Sequence, residues 1–294
     1  VETEATIGLA LRKEAEKNNA IVTVADGDEP VAALDLYNFA RELSFDVISI
    51  GKGKNNPFNT FATPSSLTKE ASLKQMNPKM LTSFVDGTKT MVEMAALANF
   101  LGFNIDIDGM HGIEATYENI NQFYIPKKDG GLLDESQVVD FAFGIAPGVF
   151  AVIYSEDDYV NYEMEYLKMG KGPYWTLARP YHLTSLEIPR TIRHIMLEKY
   201  SKLSAQSWNV EVVAHAKQDI EPGTNLGSIG GDYIYGKAQK TSSSKGLLPI
   251  GIAEDNVVTK AIAKGNPIAI DEVDAQDNEL CEYWDYQNQI LDSD

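Results

Sequence analysis

The sequence has 294 residues, a length that fits two domains and a small third one. Hydrophobic residues make up 44% of the chain and charged residues 23%, values typical of a folded globular protein, so general disorder is excluded. The net charge of −18 argues against a nucleic-acid partner, because phosphate binding along a nucleic acid requires a basic surface. A small phosphorylated substrate stays open, since it needs only a local basic pocket.

Cysteine content and hydropathy indicate the compartment. The single cysteine, Cys281, cannot form an intrachain disulfide. No run approaches the roughly 18 apolar residues of a membrane span, and the N-terminus lacks a signal-peptide pattern. We therefore expect a cytoplasmic protein without a membrane partner. The chain starts at Val1, in a segment that resembles the middle of a domain, so we also expect a fragment of a longer protein.

The first fifty residues predict a βαβ unit. An amphipathic helix over 7–19 precedes an apolar run at 20–25, which predicts a buried strand. Glu29-Pro30 opens a second helix, since proline is tolerated in a first turn, and 45–50 (FDVISI) predicts a second strand. Two strands joined by a helix form a parallel crossover, so the predicted fold class is α/β.

Loops, helices and strands alternate further along the chain. The stretch 51–66 is rich in Gly, Asn, Pro and Ser and predicts a loop. A helix over 86–101 ends at Gly102, where a left-handed cap is expected. Three further elements are predicted, namely strands at 138–143 and 148–154 and a helix over 187–199.

The C-terminal part has a different pattern. Alternation at 208–216 and a glycine-punctuated run at 230–239 predict a compact β module, followed by a flexible Ser-rich loop at 241–246. From Asp271 to Asp294 the sequence has nine acids and no base. That run predicts a solvated and partly disordered tail.

The first candidate site is the segment directly after the predicted strand at 45–50. Lys52 and Lys54 supply positive charge at the carboxyl end of this strand, where open parallel sheets bind ligands. The segment departs from a dinucleotide fingerprint, so an ordinary polar turn is the alternative. Its other members are two glycines, which allow close backbone approach, and two asparagines, which add amide donors: Gly51, Gly53, Asn55 and Asn56.

The second candidate site is the helix over 86–101 and the segment before it, which contains Lys79. Asp86, Lys89 and Glu93 fall at helical spacing and are expected to share one face. Two carboxylates beside a lysine suit a proton donor or a divalent metal. The alternative is a solvated face with a salt bridge from Lys89 to Glu93.

The third candidate site precedes the helix over 187–199. Arg179 suits a carboxylate or phosphate, His182 suits acid–base chemistry, and Ser185 is the predicted N-cap of a helix N-terminus that attracts anions. The alternative is a helix-entry turn in which Arg179 stacks on Tyr181. His111, in the turn DGMHG, is a weaker candidate.

Seven stretches of the sequence match a known family in order: ADGDEP, GKGKNNP, NPKMLTSFVDGTKTMVEMA, DGMHG, APGVF, YLKMG and RPYHLTSLE. Over residues 1–240 the chain resembles homoserine-dehydrogenase-like oxidoreductases that carry a C-terminal SAF domain. Some members are 1-deoxy-D-xylulose-5-phosphate reductoisomerase-like enzymes of isoprenoid synthesis.

The resemblance implies three domains in a homodimer. It assigns 1–50 to the end of an NAD(P)-binding Rossmann domain, 51–204 to a catalytic and dimerising α/β domain, and 205–270 to a small β-rich SAF domain. The helix over 187–199 would pack back on the Rossmann part, and 271–294 is the acidic tail. Since the glycine-rich dinucleotide loop is missing from the sequence, we expect this chain alone to bind NADPH weakly.

The leading functional hypothesis is NADP(H)-dependent reductive isomerisation of a phosphorylated ketose, at a cleft on the carboxyl rim of the sheet where Lys52, Lys89 and Arg179 converge. Asp86 and Glu93 would hold Mg²⁺ or Mn²⁺. One alternative is hydride transfer on a hydroxy or sugar acid without rearrangement, and another is a non-catalytic, sugar-binding SAF module. The hypothesis assigns catalysis to Lys52, Lys54, Lys89, Asp86, Glu93 and His182, substrate binding to Asn55, Asn56, Lys79 and Arg179, and cofactor binding to Gly51, Gly53 and Ser185.

Overall fold

The structure, a computed structural model, describes residues 1–274 and 278–293. They form two compact units. The sheet unit contains 23–55 and 103–203, and the hairpin unit contains 1–22, 56–102 and the described residues from 204 onward. These units cut across the sequence-based division at residue 50, because the segment 56–102 packs with both ends of the chain.

Eight helices and nine strands are present in the described part of the chain, and none of these helices has the length and apolar character to cross a bilayer. The helices are α1 (Glu4–Lys17), α2 (Glu29–Glu42), α3 (Pro64–Leu73), α4 (Pro78–Val85), α5 (Thr88–Leu101), α6 (Asp158–Tyr166), α7 (Ile188–Arg193) and α8 (Glu279–Ser293). The strands are β1 (Asp46–Lys54), β2 (Ile113–Glu114), β3 (Val138–Phe143), β4 (Val149–Tyr154), β5 (Tyr174–Arg179), β6 (Val210–Ala216), β7 (Ile234–Lys240), β8 (Val257–Val258) and β9 (Val273–Asp274).

The sheet unit is built on one five-stranded sheet in the order β2-β3-β1-β4-β5. Strands β2, β3 and β1 are parallel, and β4 runs antiparallel to both of its neighbours. Helix α2 packs on β1, β4 and β5. A cluster that includes Ile120, Tyr124 and Phe150 forms the apolar core of the unit. The predicted α/β class and the strands predicted at 45–50, 138–143 and 148–154 are confirmed.

The strand predicted at 20–25 is wrong, and with it the βαβ crossover. These residues do not form a strand, although Val24 donates a backbone hydrogen bond to the carbonyl of Leu203 at 2.9 Å. A strand requires a ladder of such bonds with a neighbour, and this apolar run does not gain one. Helix α2 therefore leads into β1 without a preceding parallel partner.

The helix predicted over 187–199 is present in three parts. A 3-10 turn at Thr184–Glu187 continues into α7 and then into a π-helical turn at His194–Glu198. Pro189 lies in the first turn of α7, as predicted, but Ser185 lies inside the 3-10 turn and is not the N-cap. Glu187, the last residue of the 3-10 turn, is instead the N-cap of α7.

The hairpin unit packs α5 against the antiparallel pair β6–β7. The side chain of Asn99, which is fully buried, donates to the Val210 carbonyl at 2.9 Å and accepts from the amides of Asn209 and Val210. Helix α5 ends at Gly102 with φ +73°, which confirms the predicted left-handed cap. The predicted strands at 208–216 and 230–239 are likewise present, as β6 and β7.

The expectation of a solvated, partly disordered tail is wrong over α8. Gln287 is fully buried, accepts from the amides of Leu9 and Ala10 at 3.1 and 3.3 Å, and donates to the Thr6 carbonyl at 3.0 Å. Helix α8 thus docks on α1. Residues 275–277 and 294 of the predicted tail lie outside the described residues.

Candidate active site

Three polar side chains meet inside the sheet unit. Lys52 Nζ lies 2.8 Å from Glu29 Oε1, and His182 Nε2 lies 3.3 Å from the same oxygen. The three side chains are 7%, 17% and 14% exposed, respectively. A lysine, a carboxylate and an imidazole in contact and largely shielded from water form an acid–base group.

Each member is positioned by its own secondary structure. Glu29 is the first residue of α2, whose N-cap Asp28 accepts a hydrogen bond from the Glu29 amide at 3.2 Å. Lys52 lies near the C-terminal end of strand β1, and His182 follows β5 in the chain. Because β1 and β5 lie in one sheet under α2, these side chains come together at one end of it.

The neighbouring donors stabilise the ionised form of Glu29. Burial alone would raise the pKa of Glu29, but the charges of Lys52 and His182 and the hydrogen bond from Lys52 lower it to about 2. Glu29 is therefore an anion at every pH at which the protein is expected to work. It holds two hydrogen-bond donors in place without taking up a proton.

The ring of His182 is fixed at both nitrogens. Nδ1 lies 3.0 Å from the carbonyl oxygen of Gly27, while Nε2 faces Glu29. Both neighbours are hydrogen-bond acceptors, so the orientation of the ring is fixed from two sides. Gly27 is required here, since it has φ +88° and a Cβ would lie 2.2 Å from the Thr184 carbonyl oxygen.

The predicted loop at Gly51–Lys54 is wrong, because these residues continue strand β1 and are buried. A Cβ on Gly51 would lie 1.7 Å from the Asp140 carbonyl oxygen, and one on Gly53 would lie 2.4 Å from the Ala146 nitrogen. Both glycines thus let the neighbouring protein backbone approach, and their predicted role in cofactor binding stays a prediction. Lys54 is 5% exposed.

Arg179 belongs to a second charged cluster of the sheet unit. Its guanidinium lies 3.4 Å from Asp35 and forms a short ion pair with Glu187. Arg179 also stacks on the Tyr181 ring at 4.9 Å, as the alternative interpretation proposed. Burial raises the pKa of Glu187, but the hydrogen bond from Arg190 and the charge of Arg179 outweigh it and lower that pKa. Protein carboxylates therefore already neutralise Arg179.

His111 is tied to the protein around it. Its Nε2 lies 2.8 Å from Asp106 Oδ2, and its amide donates to Asp140, a fully buried carboxyl in β3. Asp140 also accepts from the Gly112 amide and the Tyr124 hydroxyl. The turn DGMHG is thus anchored to strand β3 by hydrogen bonds from His111 and Gly112, which is a structural role.

The second candidate site lies in the hairpin unit, and part of it is wrong. Asp86 ends α4 and precedes α5, so it does not continue the face of α5 that carries Lys89 and Glu93. Asp86 Oδ2 lies 2.8 Å from Lys217 Nζ, and both side chains are at most 1% exposed. Burial lowers the pKa of Lys217, and Asp86 partly restores it.

Lys89 is shared by two carboxylates, at 2.9 Å from Glu2 and 3.8 Å from Glu93. The Lys89–Glu93 pair is the salt bridge of the alternative interpretation. Asp86 and Glu93 each face a lysine ammonium, which gives each carboxylate a counter-charge, and their predicted role as metal ligands stays a prediction. The structure does bring Lys79 and Lys89 together, as both line a cleft of about 450 Å³.

The other predicted residues do not join either cluster. Asn55 and Ser185 are exposed, and Asn56 accepts a hydrogen bond from Lys74 at 3.1 Å in the hairpin unit. Lys89 belongs to that unit as well, so the convergence of Lys52, Lys89 and Arg179 on one cleft stays a prediction. The sequence analysis did not identify Glu29 as a site residue. A signal was available, because Glu29 precedes Pro30 at the start of a predicted helix, and an acidic residue there lies at the positive end of the helix dipole.

Comparison with known proteins places the candidate site within a family. A family model described as the catalytic domain of oxidoreductase DRL matches residues 27–188, which is 162 of the 294 residues. The matched segment includes Glu29, Lys52 and His182. No curated protein matches the chain significantly. With more than half of its length matched, the chain belongs to the family of oxidoreductase DRL catalytic domains.

Proposed function

We propose that the protein is an NAD(P)H-dependent oxidoreductase that reduces the carbonyl group of a small phosphorylated ketose, with Lys52 and His182 as the proton-donating pair. The contact that carries this proposal is the shared carboxylate, since Glu29 Oε1 lies within 3.3 Å of both donors. Family membership supplies the reaction class, and the cluster supplies residues suited to it.

The chain's own residues perform the proton chemistry. Reduction of a carbonyl turns its oxygen into an alkoxide, which must be stabilised and then protonated. An ammonium has three N–H donors, so Lys52 can hold Glu29 and a substrate oxygen together. His182 Nε2, which faces the same carboxylate, can deliver the proton or return it to Lys52. Glu29 orients both donors and offsets their charge.

The cofactor would supply the hydride, and its assignment rests on the family. The 294 residues contain no G-x-G-x-x-G sequence, and the donor set around Glu29 suits a carbonyl oxygen rather than a pyrophosphate. We therefore assign no residue of this chain to the dinucleotide. NADP(H) as the cofactor, a C-terminal SAF domain and a homodimer remain proposals from the resemblance.

Hydride transfer without rearrangement, on a hydroxy or sugar acid, is the second candidate. One observation favours it over reductive isomerisation in isoprenoid synthesis. The carboxylates predicted to hold Mg²⁺ or Mn²⁺, Asp86 and Glu93, each face a lysine. A simple dehydrogenase reaction does not require that metal.

The test is an assay of the full-length protein, following NADPH or NADH oxidation with 1-deoxy-D-xylulose 5-phosphate and, separately, with hydroxy-acid and sugar-acid substrates run in both directions. Each assay is repeated with a chelator, whose effect separates the two candidates. Lys52→Met is expected to lower kcat by at least about a hundredfold, the usual contribution of a positioned proton donor. Lys127→Met, at an exposed ion pair of the same unit, is the matched control. Unchanged kcat in Lys52→Met would remove the proposed role of the cluster.

A further inference from the structure

The hairpin unit contains a cavity that the proposed oxidoreductase chemistry does not use. Its volume is about 490 Å³, within the range of small-molecule sites. Two tryptophans, Trp208 and Trp284, contribute aromatic surface, and Leu247 and Leu291 add aliphatic surface. The cavity shares no residue with the Lys52 cluster.

A buried carboxyl group, Glu211 of β6, faces this cavity. The residue is 6% exposed, and its two oxygens accept hydrogen bonds at 3.0 Å from Trp208 Nε1 and from the Val212 amide. Among residues 1–274 and 278–293, no lysine, arginine or histidine forms an ion pair with it. Burial raises the pKa of Glu211 to about 8, although the hydrogen bond from Trp208 lowers it. The carboxyl group thus lacks a counter-charge.

A second polar atom of the wall also lacks a partner. Thr241 Oγ1 is buried and has no hydrogen-bond partner within the described part of the chain. Buried hydroxyl groups normally form hydrogen bonds, so this one is available to a ligand in the cavity. It adds an oxygen that can accept a hydrogen bond.

These features select the charge of the ligand. An anion would be repelled by the ionised form of Glu211, and a neutral molecule would leave the carboxyl group protonated near neutral pH. A cation would stabilise the ionised form, which already accepts two hydrogen bonds, and would also be attracted to tryptophan faces. The remaining charged groups of the wall, Lys245 and Asp292, have opposite signs and are more exposed. We propose that this cavity binds a small organic ammonium ion, with Glu211 as its counter-charge and the two tryptophans as its walls.

The proposal is tested on the full chain with benzylamine as the probe and benzyl alcohol as the neutral probe of the same shape. Titration calorimetry in two buffers of different ionisation enthalpy measures the affinity and the protons released. Near neutral pH, Glu211 must lose its proton to pair with the ammonium, so binding is expected to release close to one proton at about pH 7. Benzylamine is expected to bind at least about tenfold more tightly than benzyl alcohol, the usual scale for a charge-assisted contact.

Glu211→Gln is expected to remove this preference and the proton release, while Glu221→Gln, at an exposed glutamate of the same unit, retains both. Circular dichroism checks that each variant is folded. If Glu211→Gln does not fold, the proton count on the unaltered chain decides. Equal affinity for both probes, no binding of benzylamine in the millimolar range, or binding without proton release would each overturn the proposal.

Discussion

Replacement of Glu29 by glutamine tests the charged cluster on stability alone. The side chain is 17% exposed and its pKa falls from 4.5 to about 2 in the folded protein. At about 1.4 kcal/mol per pKa unit, the ionised carboxylate contributes about 3 kcal/mol to the free energy of unfolding at neutral pH. Glu29→Gln removes the carboxylate that faces the buried ammonium of Lys52, and the loss of this ion pair is part of the same contribution.

The sign of the pH dependence follows from the direction of this shift. Because the folded-state pKa is depressed, the stabilisation is complete above pH 4.5 and is lost as the pH falls through about 2. Wild type and Glu29→Gln are therefore expected to differ most at neutral pH and to converge at the acidic end of this window.

Urea unfolding at several pH values measures this difference. Trp175 is fully buried in the sheet unit, so the change in its fluorescence reports the unfolding of that unit. The other two tryptophans belong to the hairpin unit and add a background signal. Glu42→Gln, at an exposed position on the same helix, is the control. Equal stability of wild type and Glu29→Gln at neutral pH would refute the reasoning, as would a difference that persists unchanged below the acidic window.

Three further substitutions test the packing described above, the first two by urea unfolding and the third by thermal unfolding. Asp86→Asn leaves the buried ammonium of Lys217 unpaired and is expected to cost about 3–5 kcal/mol, whereas a small effect would mean that Asp86 is not a structural ion-pair partner. Gln287→Ala removes three hydrogen bonds between α8 and α1 and is expected to cost about 2–3 kcal/mol, whereas Gln289→Ala, at an exposed position of α8, is expected to change little. Gly51→Ala forces a methyl group into a backbone carbonyl and is expected to lower Tm strongly; a wild-type Tm would contradict the tight β1–β3 approach.

Hydrophobic periodicity and the positions of glycine predicted many helices and strands correctly. The apolar runs at 138–143 and 148–154 form strands because each lies beside a partner in the sheet. Gly102 caps α5 because only glycine adopts the left-handed conformation there without strain. The run at 20–25 has the same apolar character and still forms no strand, since pairing depends on residues far away in the sequence.

The sequence analysis missed one helix, α8, and one site residue, Glu29. The acids of the tail suggested a solvated segment, yet Leu280, Trp284, Gln287 and Leu291 recur at helical spacing and mark the least exposed face of α8. Glu29 was interpreted only as the start of a helix. Its contact with Lys52 and His182 depends on how β1, β5 and α2 are arranged, which local sequence does not specify.

The discontinuous units have a consequence for synthesis on the ribosome. The sheet unit holds no residue beyond Leu203, so all of it has emerged while the C-terminal helix is still untranslated. Helix α1 precedes the sheet unit in the chain and α8 follows it, yet the two helices pack together. The surface of α1 that α8 covers therefore stays exposed until α8 has been synthesised, which makes that surface a target for chaperones during that interval.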